Sequence, residues 1–314
     1  MNVLSLSYGK DSLACLGACE KLGIKIDRIV HAEVWATDTI PADLPLMVEF
    51  KKHADKIIKE RYGIEVEHIC ALKTQGWAVA NKLTNQCSII FSEKENTLEQ
   101  SRGFLKQSEV GVRSLNLKQA VLTYEDMFYQ RCVKTPKIYG YPHGRSEWCK
   151  ILKRQVNMGS CDAFNQILGI AADEPKRIER HSKRDNVILP LVEIGWTEAM
   201  CREWCEKNDL LSPIYTTATR GGCWFCHNQG VDQLRLLRKN YPDLWALLLK
   251  WDKDSPVTFK PDGHTVHDFD RRFQAEDDGL IIPGDRKFRW SQIDEKCRLN
   301  SFEVNYGRQN NRRT

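Results

Sequence analysis

The sequence predicts an α/β fold in which a twisted parallel sheet is flanked by helices. Short apolar runs alternate with stretches of helical periodicity, beginning with the apolar run at residues 3–6. A loop rich in Gly, Ser and Asp follows at residues 7–12, directly before the first helical pattern. Strands that alternate with helices form right-handed βαβ units, and the parallel sheet of such units is covered by helices on both faces.

Periodicity and helix stop signals place the individual elements. The predicted strands are residues 3–6, 28–35, 64–72, 163–170 and 187–191, and the predicted helices are residues 13–22, 46–62, 151–159, 197–207 and 233–249. Gly23 and Gly63 are expected to end the first two helices, and Thr197 is expected to cap the fourth. The segment around His264 and His267 is predicted to be a turn that enters a strand.

The 314 residues suffice for one large domain or two modest ones. We assign residues 1–215 to the α/β domain and residues 216–314 to a smaller, mostly helical region that includes a Cys-x-x-Cys loop. Residues 74–142 show no clear periodicity, and a loop segment of this length is often a functional lid. We therefore predict that this segment is an insertion that acts as a lid.

Composition excludes several classes of protein. The net charge of +5, from 47 basic and 42 acidic residues, is too balanced to indicate nucleic-acid binding by itself. The first residues lack the basic segment of a signal peptide, and no apolar stretch approaches the ~18 residues that suggest a membrane span. Without a secretory signal, the 12 cysteines indicate reduced thiols, metal ligands or redox chemistry. We expect a cytoplasmic protein, and whether it forms a homodimer stays open.

The loop at residues 7–12 has the chemistry of a phosphate site. It presents backbone N–H groups at a helix N-terminus, where the helix dipole also favours negative charge. Gly9 allows close approach of the backbone, and Lys10 and the flanking serines add hydrogen-bond donors. Asp11 can only accept, so beside phosphates it needs Mg²⁺ or a backbone partner. The spacing is not that of a Walker A loop, and an ordinary strand-to-helix turn is the alternative.

Residues 7–12 read Ser-Tyr-Gly-Lys-Asp-Ser, which resembles the loop Ser-Gly-Gly-Lys-Asp-Ser of the PP-loop family. Tyr8 replaces one glycine, a departure that could narrow the pocket. Later segments follow the order of landmarks in the phosphoadenylylsulfate (PAPS) reductase family, namely residues 36–39, 169–177, 190–191, 196–197, 212–215 and 222–226. The resemblance covers roughly residues 1–72 and 145–230.

This resemblance implies a Rossmann-like PP-loop fold that binds ATP or PAPS together with Mg²⁺. The implied nucleotide-binding residues are Ser7, Tyr8, Gly9, Lys10, Asp11, Ser12, Asp38 and Asp173, and the implied catalytic residues are Lys10, Asp11 and Arg177. Further cations for a polyphosphate are Arg145, Lys150, Lys153, Arg154 and Lys176, although exposed helix faces are the alternative for most of them.

Cys223 and Cys226 form a half-site for zinc or an iron–sulfur cluster, because two thiolates on one turn can chelate a single centre. The resemblance implies Cys149 as a further ligand, since cluster-bearing members of the family place cysteine ligands upstream, before a Lys-rich helix. The fourth ligand stays open among Cys132, Cys161 and His227, and a redox-active dithiol or a pair of core thiols is the alternative. We predict core positions for Cys15, Cys19, Cys70, Cys201, Cys205, Trp245 and Trp251.

Two enzymatic interpretations share this scaffold. In the first, the protein cleaves ATP between the α- and β-phosphates and adenylates a substrate oxygen, as the related DNA-phosphorothioation ATPases and tRNA thiolases do. Its partner would then be a sulfur-donor protein or a nucleic-acid substrate. In the second, it reduces PAPS or adenylylsulfate, although Cys297 lacks the Glu-Cys-Gly context of true reductases. A third interpretation is a non-catalytic module that senses a nucleotide or binds nucleic acid.

Overall fold

The computed structural model describes residues 1–71, 105–106, 121–129, 140–141, 149, 152–153, 164–216, 221–285 and 287–293. The chain divides into two compact units. The first comprises Met1–Lys137 and Gly144–Phe225, and thus continues past the boundary predicted after residue 215. The second comprises Ile138–His143 and Cys226–Thr314.

A largely parallel sheet lies at the centre of the first unit and confirms the α/β class. Its strands are β1 (Asn2–Ser5), β2 (Arg28–Glu33), β3 (Val66–Cys70), β4 (Leu105–Lys106), β5 (Asn165–Ile167) and β6 (Val187–Ile188). The strand order is β4-β3-β2-β1-β5-β6, with five parallel strands and an antiparallel β4 at the edge. The chain runs outward from β1 to β3 on one side and from β5 to β6 on the other. The strand order therefore reverses between β1 and β5, which is where open α/β sheets bind ligands.

The described helices of this unit are α1 (Lys10–Leu22), α2 (Pro45–Tyr62), α3 (Tyr124–Phe128), α4 (Pro175–His181), α5 (Pro190–Glu193) and α6 (Glu198–Lys207). Gly23 and Gly63 end α1 and α2 with a φ of 67° each, in the left-handed region that glycine enters without strain. Thr197 Oγ1 accepts a hydrogen bond from the N–H of Met200 and caps α6. These three helix boundaries were predicted correctly from local signals.

Other predictions for the first unit need correction. The strand predicted at residues 187–191 ends at Ile188, because Pro190 begins α5, and proline suits the first turn of a helix. Within the predicted insertion, α3 begins at a capping box formed by Thr123 and Asp126, a signal that the sequence contains. The helix predicted at residues 151–159 lies outside the described residues, apart from residues 152–153.

Helices α1 and α6 approach each other closely in the core. A Cβ atom on Gly17 would lie only 2.4 Å from the indole of Trp204, so only glycine fits at this point. The side chains of Cys15, Cys19, Cys201 and Cys205 are all buried around this contact, and Cys70 is buried in β3. Their predicted core positions are confirmed.

The second unit is helical in its described part, with α7 (Val231–Asn240), α8 (Pro242–Asp254) and α9 (Val266–Asp277). The single helix predicted at residues 233–249 is wrong. Tyr241 leaves the helical region with φ −137° and ψ 65°, because the following proline disfavours a helical conformation before it. The strand predicted after His264 is also wrong, since Thr265 caps α9 there. Trp245 and Trp251 are buried in α8, as predicted.

Among the helices that the structure describes, none has the length and apolar character needed to cross a membrane.

Candidate functional site

A cavity of about 320 Å³ lies in the first unit at the carboxyl ends of the central strands. The loop after β1, the end of β2 and Gly169 after β5 all contribute to its lining. The cavity is therefore located at the reversal of strand order, and its volume falls within the range of small-molecule sites. This position makes it the candidate functional site.

The predicted phosphate loop forms one wall of this cavity. Gly9 is the N-cap residue of α1 and, as a glycine, has no side chain with which to cap this helix end. Ser12 Oγ donates to the carbonyl of Gly9 at 2.9 Å and lies 3.0 Å from Ser7 Oγ, while the Ser7 N–H donates to Ser12 Oγ at 3.2 Å. These bonds close the loop on itself. A helix N-terminus that faces a cavity provides a favourable site for an anion.

Gly169 brings the chain after β5 against the first turn of α1. A Cβ atom on Gly169 would lie 2.6 Å from the backbone N and Cα of Ser12 and 2.7 Å from the carbonyl carbon of Asp11. Backbone atoms cannot yield as the end of a flexible side chain can. The position therefore requires glycine.

The two charged residues of the loop face each other. Lys10 Nζ lies 2.9 Å from Asp11 Oδ1 and 2.8 Å from Glu198 Oε2 at the start of α6. Burial alone would lower the pKa of Lys10, but the hydrogen bonds with Glu198 and Asp11 raise it, so Lys10 is cationic. Burial raises the pKa of Asp11, against the effect of Lys10. Asp11 lines the cavity, whereas the ammonium group of Lys10 is held by the two carboxylates.

Tyr8 adopts a backbone conformation that is typical of glycine. Its φ of 55° lies in the left-handed region, which a side chain of this size rarely adopts and which costs about 1–3 kcal/mol. The side chain is fully buried, and its hydroxyl donates to Asp55 of α2 and lies 3.1 Å from His68 Nε2 of β3. The ring thus points beneath the loop, where its contacts hold the strained backbone in place.

Tyr215 contacts the loop although it is distant from it in the sequence. Its hydroxyl accepts a hydrogen bond from the N–H of Lys10 at 3.1 Å, the first N–H of α1. The same oxygen would lie 3.3 Å from a Cβ atom on Gly9. Tyr215 is the last residue of the segment 212–215, one of the landmarks named in the sequence, and it lines the cavity. Its hydroxyl oxygen thus satisfies one of the N–H groups that helix N-termini can offer to an anion.

A cluster of His31, Lys51 and Asp43 was missed in the sequence, because its members come from β2, α2 and the loop between them. His31 Nδ1 donates to the carbonyl of Leu6 at 2.8 Å, since that oxygen can only accept. Burial, followed by the charge of Lys51, lowers the pKa of His31 well below its usual value, so the ring is neutral. Its Nε2 then accepts from Lys51 Nζ at 2.8 Å, and Lys51 also pairs with Asp43. His31 and Asp43 line the cavity.

The remaining predicted nucleotide residues lie in different places. Arg177 lines the cavity, and its guanidinium is held by both carboxylate oxygens of Glu174 at 2.6 and 2.7 Å. Asp173 is exposed and accepts a hydrogen bond from the N–H of Glu198 at 3.0 Å, at the start of α6. Asp38 is exposed and does not line the cavity. The acidic residue between β2 and α2 that does line it is Asp43. Lys176 is also exposed.

Lys153 lies at the cavity together with Cys223, one of the predicted metal ligands. The Cys223 side chain raises the pKa of Lys153 by its charge and by a hydrogen bond, against the effect of burial, and Asp43 and Cys149 add to the increase. Lys153 and Cys223 both line the cavity. The Lys153 ammonium group thus lies next to the Cys223 side chain and within electrostatic reach of Asp43 and Cys149.

Two buried aromatic residues fix the position of Cys223. Trp224 donates from its backbone N–H to the carbonyl of Ala42 and from Nε1 to the carbonyl of Pro41, at 3.0 Å each. Phe225 stacks on Tyr124 with 4.0 Å between ring centroids. The segment that contains Cys223 is therefore held alongside the loop that leads to α2.

The third predicted ligand, Cys226, is the first residue of the second unit in this region of the chain. No group of three or more His, Cys, Asp or Glu side chains is arranged to hold a metal ion within the described ranges. Of the alternative fourth ligands, Cys132 and Cys161 lie outside the described residues, as do Arg145, Lys150, Arg154 and Cys297, and His227 is buried in the second unit. Of the predicted ligands, Cys223 thus lies at the cavity beside Lys153, whereas Cys149 and Cys226 are not among the described lining residues.

We compared the chain with protein-family models, with curated proteins and with solved structures, and none of the three comparisons finds a match.

Proposed function

We propose that the protein is a PP-loop ATP pyrophosphatase or adenylyl-transferring enzyme of the PAPS reductase family. The observation that carries the proposal is the position of the Ser-Tyr-Gly-Lys-Asp-Ser loop. It forms the N-terminus of α1 and lines a cavity at the reversal of strand order, where Gly169 packs directly against it. That combination suits the phosphates of a nucleotide.

The other walls of the cavity suit a nucleoside. Ala32, Val34 and Met47 provide apolar surface, against which a purine base can pack. Asp43 lies among them and could accept a hydrogen bond from the exocyclic amino group of adenine. The base would then lie against β2 and α2, with the phosphates at the loop.

Charge at the loop matches the release of pyrophosphate. The N-terminus of α1 and the cation of Lys10 would stabilise the negative charge on the leaving group. Lys10 must exchange its partner Glu198 for a phosphate oxygen to do so. Arg177 lines the same cavity and would contact the phosphates in a similar exchange with Glu174.

The carboxylate of Asp11 fits Mg²⁺. It lines the cavity with 21% of its side chain exposed, and its burial makes a cationic partner favourable. Mg²⁺ bound there would neutralise charge on the phosphates. Asp11 and Asp43 are the carboxylates among the described lining residues.

Cys149 and Cys223 are proposed as thiolate ligands of an iron–sulfur cluster or of Zn²⁺. Cys223 lines the cavity next to the Lys153 ammonium group, and Cys149 lies within electrostatic reach of the same group. That Cys226 joins them stays a prediction. Cytoplasmic conditions would keep these thiols reduced.

The acceptor of the adenylyl group is proposed to be a small molecule or a nucleic acid, with a sulfur-donor protein as a partner. Reduction of PAPS is the second candidate. The thiol of Cys223 at the cavity favours it, because that reaction needs a nucleophilic cysteine. A non-catalytic nucleotide sensor has no specific observation in its favour.

One pair of assays separates these candidates. The protein would be incubated with ATP and Mg²⁺, and pyrophosphate release would be measured. In parallel it would be incubated with PAPS and a thiol reductant, and sulfite would be measured. Pyrophosphate without sulfite supports the proposed function, and sulfite supports the second candidate. Nucleotide binding without either product would indicate a sensor.

A further inference from the structure

Three side chains beneath the phosphate loop form a closed set of hydrogen bonds, which we call the latch. Tyr8 of the loop donates its hydroxyl hydrogen to Asp55 Oδ1 of α2. His68 of β3 approaches the other oxygen of the same carboxylate, with 2.9 Å between Nε2 and Oδ2. The Tyr8 hydroxyl oxygen also lies 3.1 Å from His68 Nε2, so the single Nε2–H is shared between this oxygen and the Asp55 carboxylate. The latch thus joins the loop to two separate elements of the core.

Two further side chains contact the ring of Tyr8. His31 of β2 meets it edge-on with 4.8 Å between ring centroids. Lys51 of α2 lies with its ammonium group 5.4 Å from the ring centroid. A non-glycine residue stays in the left-handed region only when its surroundings impose that conformation. Here α2, β2 and β3 together impose it on Tyr8.

Charge also stabilises the latch. Burial disfavours the charged form of His68, but the hydrogen bond with Asp55 and the negative charges of Asp55 and of Glu33, whose Oε2 lies 3.5 Å from His68 Nδ1, outweigh it and raise the pKa of His68 to about 9. Burial, together with Asp55, raises the pKa of Tyr8, so its hydroxyl keeps the proton that it donates. The other groups that face the latch are His31, which is neutral, and the cation of Lys51 with its partner Asp43.

The sign of the pH dependence follows from this shift. Folding raises the pKa of His68 above its ordinary value of 6.5. The contribution of the charged imidazole to the stability of the latch is therefore complete below pH 6.5. The contribution is lost as the pH rises through about 9, when the imidazole loses its charge beside Asp55 and Glu33.

We propose that Tyr8, Asp55 and His68 are positioning residues that hold the phosphate loop in its ligand-binding conformation. This inference rests on the proposed function, because it assigns a role in that same site. None of the three acts on the ligand through its polar atoms, which face one another below the loop. The latch holds the backbone of Tyr8 in a conformation that glycine would adopt without strain. It also makes phosphate binding depend on the protonation of His68.

The test measures the affinity of the full-length protein for ATP with Mg²⁺ by calorimetry between pH 7 and pH 10. Tyr8→Phe removes the hydroxyl and keeps the ring, and we expect it to weaken binding roughly three- to tenfold, the effect of one hydrogen bond. Asp55→Asn should weaken binding in the same direction. Wild-type affinity should fall as the pH rises through about 9, and His68→Gln should abolish this fall. Tyr62→Phe is the matched control, because it removes a phenol hydroxyl on α2 outside the cavity lining.

The outcomes distinguish the latch from the proposed function. A wild-type protein that binds no ATP at any pH would contradict the proposed function and the latch with it. ATP binding that is equal in wild type and Tyr8→Phe, with no fall near pH 9, would contradict the latch alone. Thermal melting establishes that each variant is folded. If Tyr8→Phe does not fold, Asp55→Asn and the pH profile of His68→Gln decide the question.

Discussion

Gly169 and Ser12 lie so close together that a single methyl group cannot be placed between them. A Cβ atom on Gly169 would come within 2.6 Å of the Ser12 backbone. This contact joins the end of β5 to the first turn of α1, two segments that are far apart in the sequence. The phosphate loop is thereby fixed against the strand beyond the reversal of strand order.

Gly169→Ala should therefore destabilise the protein and weaken ATP binding. We expect a loss of about 1–3 kcal/mol in the free energy of unfolding, which is typical of an overpacked site. Urea unfolding measures the stability, and calorimetry with ATP and Mg²⁺ measures binding. Gly221→Ala is the matched control, because Gly221 lines the same cavity and a Cβ atom there would lie 4.0 Å from the nearest atom, Ile214 Cδ1. Equal behaviour of the two variants would show that the close contact has no role.

Tyr215→Phe should tighten the binding of ATP. The Tyr215 hydroxyl accepts the Lys10 N–H that a phosphate oxygen needs, so its removal takes away an internal competitor. One neutral hydrogen bond corresponds to a change of roughly three- to tenfold in affinity. Weaker binding by Tyr215→Phe would mean that the hydroxyl contacts the ligand instead of competing with it.

Glu198→Gln should also tighten ATP binding, because it releases Lys10 from one of its two carboxylate partners. The Glu198 side chain is 50% exposed, so the increase should stay below about fivefold, since an exposed ion pair contributes about 0.2–1 kcal/mol. Glu206→Gln provides the control: this residue pairs with Arg202 on the same helix and is equally exposed at 50%. Binding that changes equally in both variants would point to a general effect of charge on α6.

Asp11→Asn should abolish pyrophosphate release without loss of stability. The variant lacks the carboxylate proposed to hold Mg²⁺, and we expect turnover to fall at least about a hundredfold. Burial raises the pKa of Asp11. At a pH above the ordinary pKa of this carboxyl group, its negative charge therefore destabilises the folded state. At neutral pH the melting temperature of Asp11→Asn should accordingly not decrease. Wild-type turnover in a folded Asp11→Asn protein would contradict the assignment of this loop.

The thiol pair at Lys153 leads to a prediction about metal content. Cys149→Ser and Cys223→Ser should each lose the metal, as should Cys226→Ser if its predicted role holds. Cys201→Ser should retain the metal, because Cys201 is buried in the core beside α1. Metal analysis measures the content, and an absorption shoulder near ~400 nm in anaerobically purified protein would identify an iron–sulfur cluster. Full metal content in Cys149→Ser would exclude the proposed pair.

The sequence predicted those features that depend on neighbours in the chain. Gly23, Gly63 and the Thr197 cap mark helix ends through their own backbone or side chain, so local patterns suffice. Pro242 is a local signal for the break between α7 and α8, but the helical periodicity on both sides of it predicts one continuous helix.

Features that depend on distant segments could not be predicted in this way. His31 and Lys51 look like ordinary residues of a strand and a helix, and only the packing of α2 on the sheet brings them together with Asp43. The side-chain direction of Tyr8 likewise depends on Asp55 and His68. The sequence predicts a strand-to-helix loop at residues 7–12, whose phosphate role stays a prediction, but it does not reveal the groups that hold this loop in shape.

The position of β1 between β2 and β5 has a consequence for the synthesis of the protein. One edge of β1 can pair early, through the register of Val3 with Arg28, but the other edge needs Asn165 and its neighbours. A chain emerging from the ribosome must therefore wait for more than half of its length before the central strand is paired on both sides. The cavity needs Tyr215 and Cys223 as well, which are added later still. Binding competence should thus arise near the end of translation, and a nascent chain that stops before residue 215 would carry the complete loop without its site.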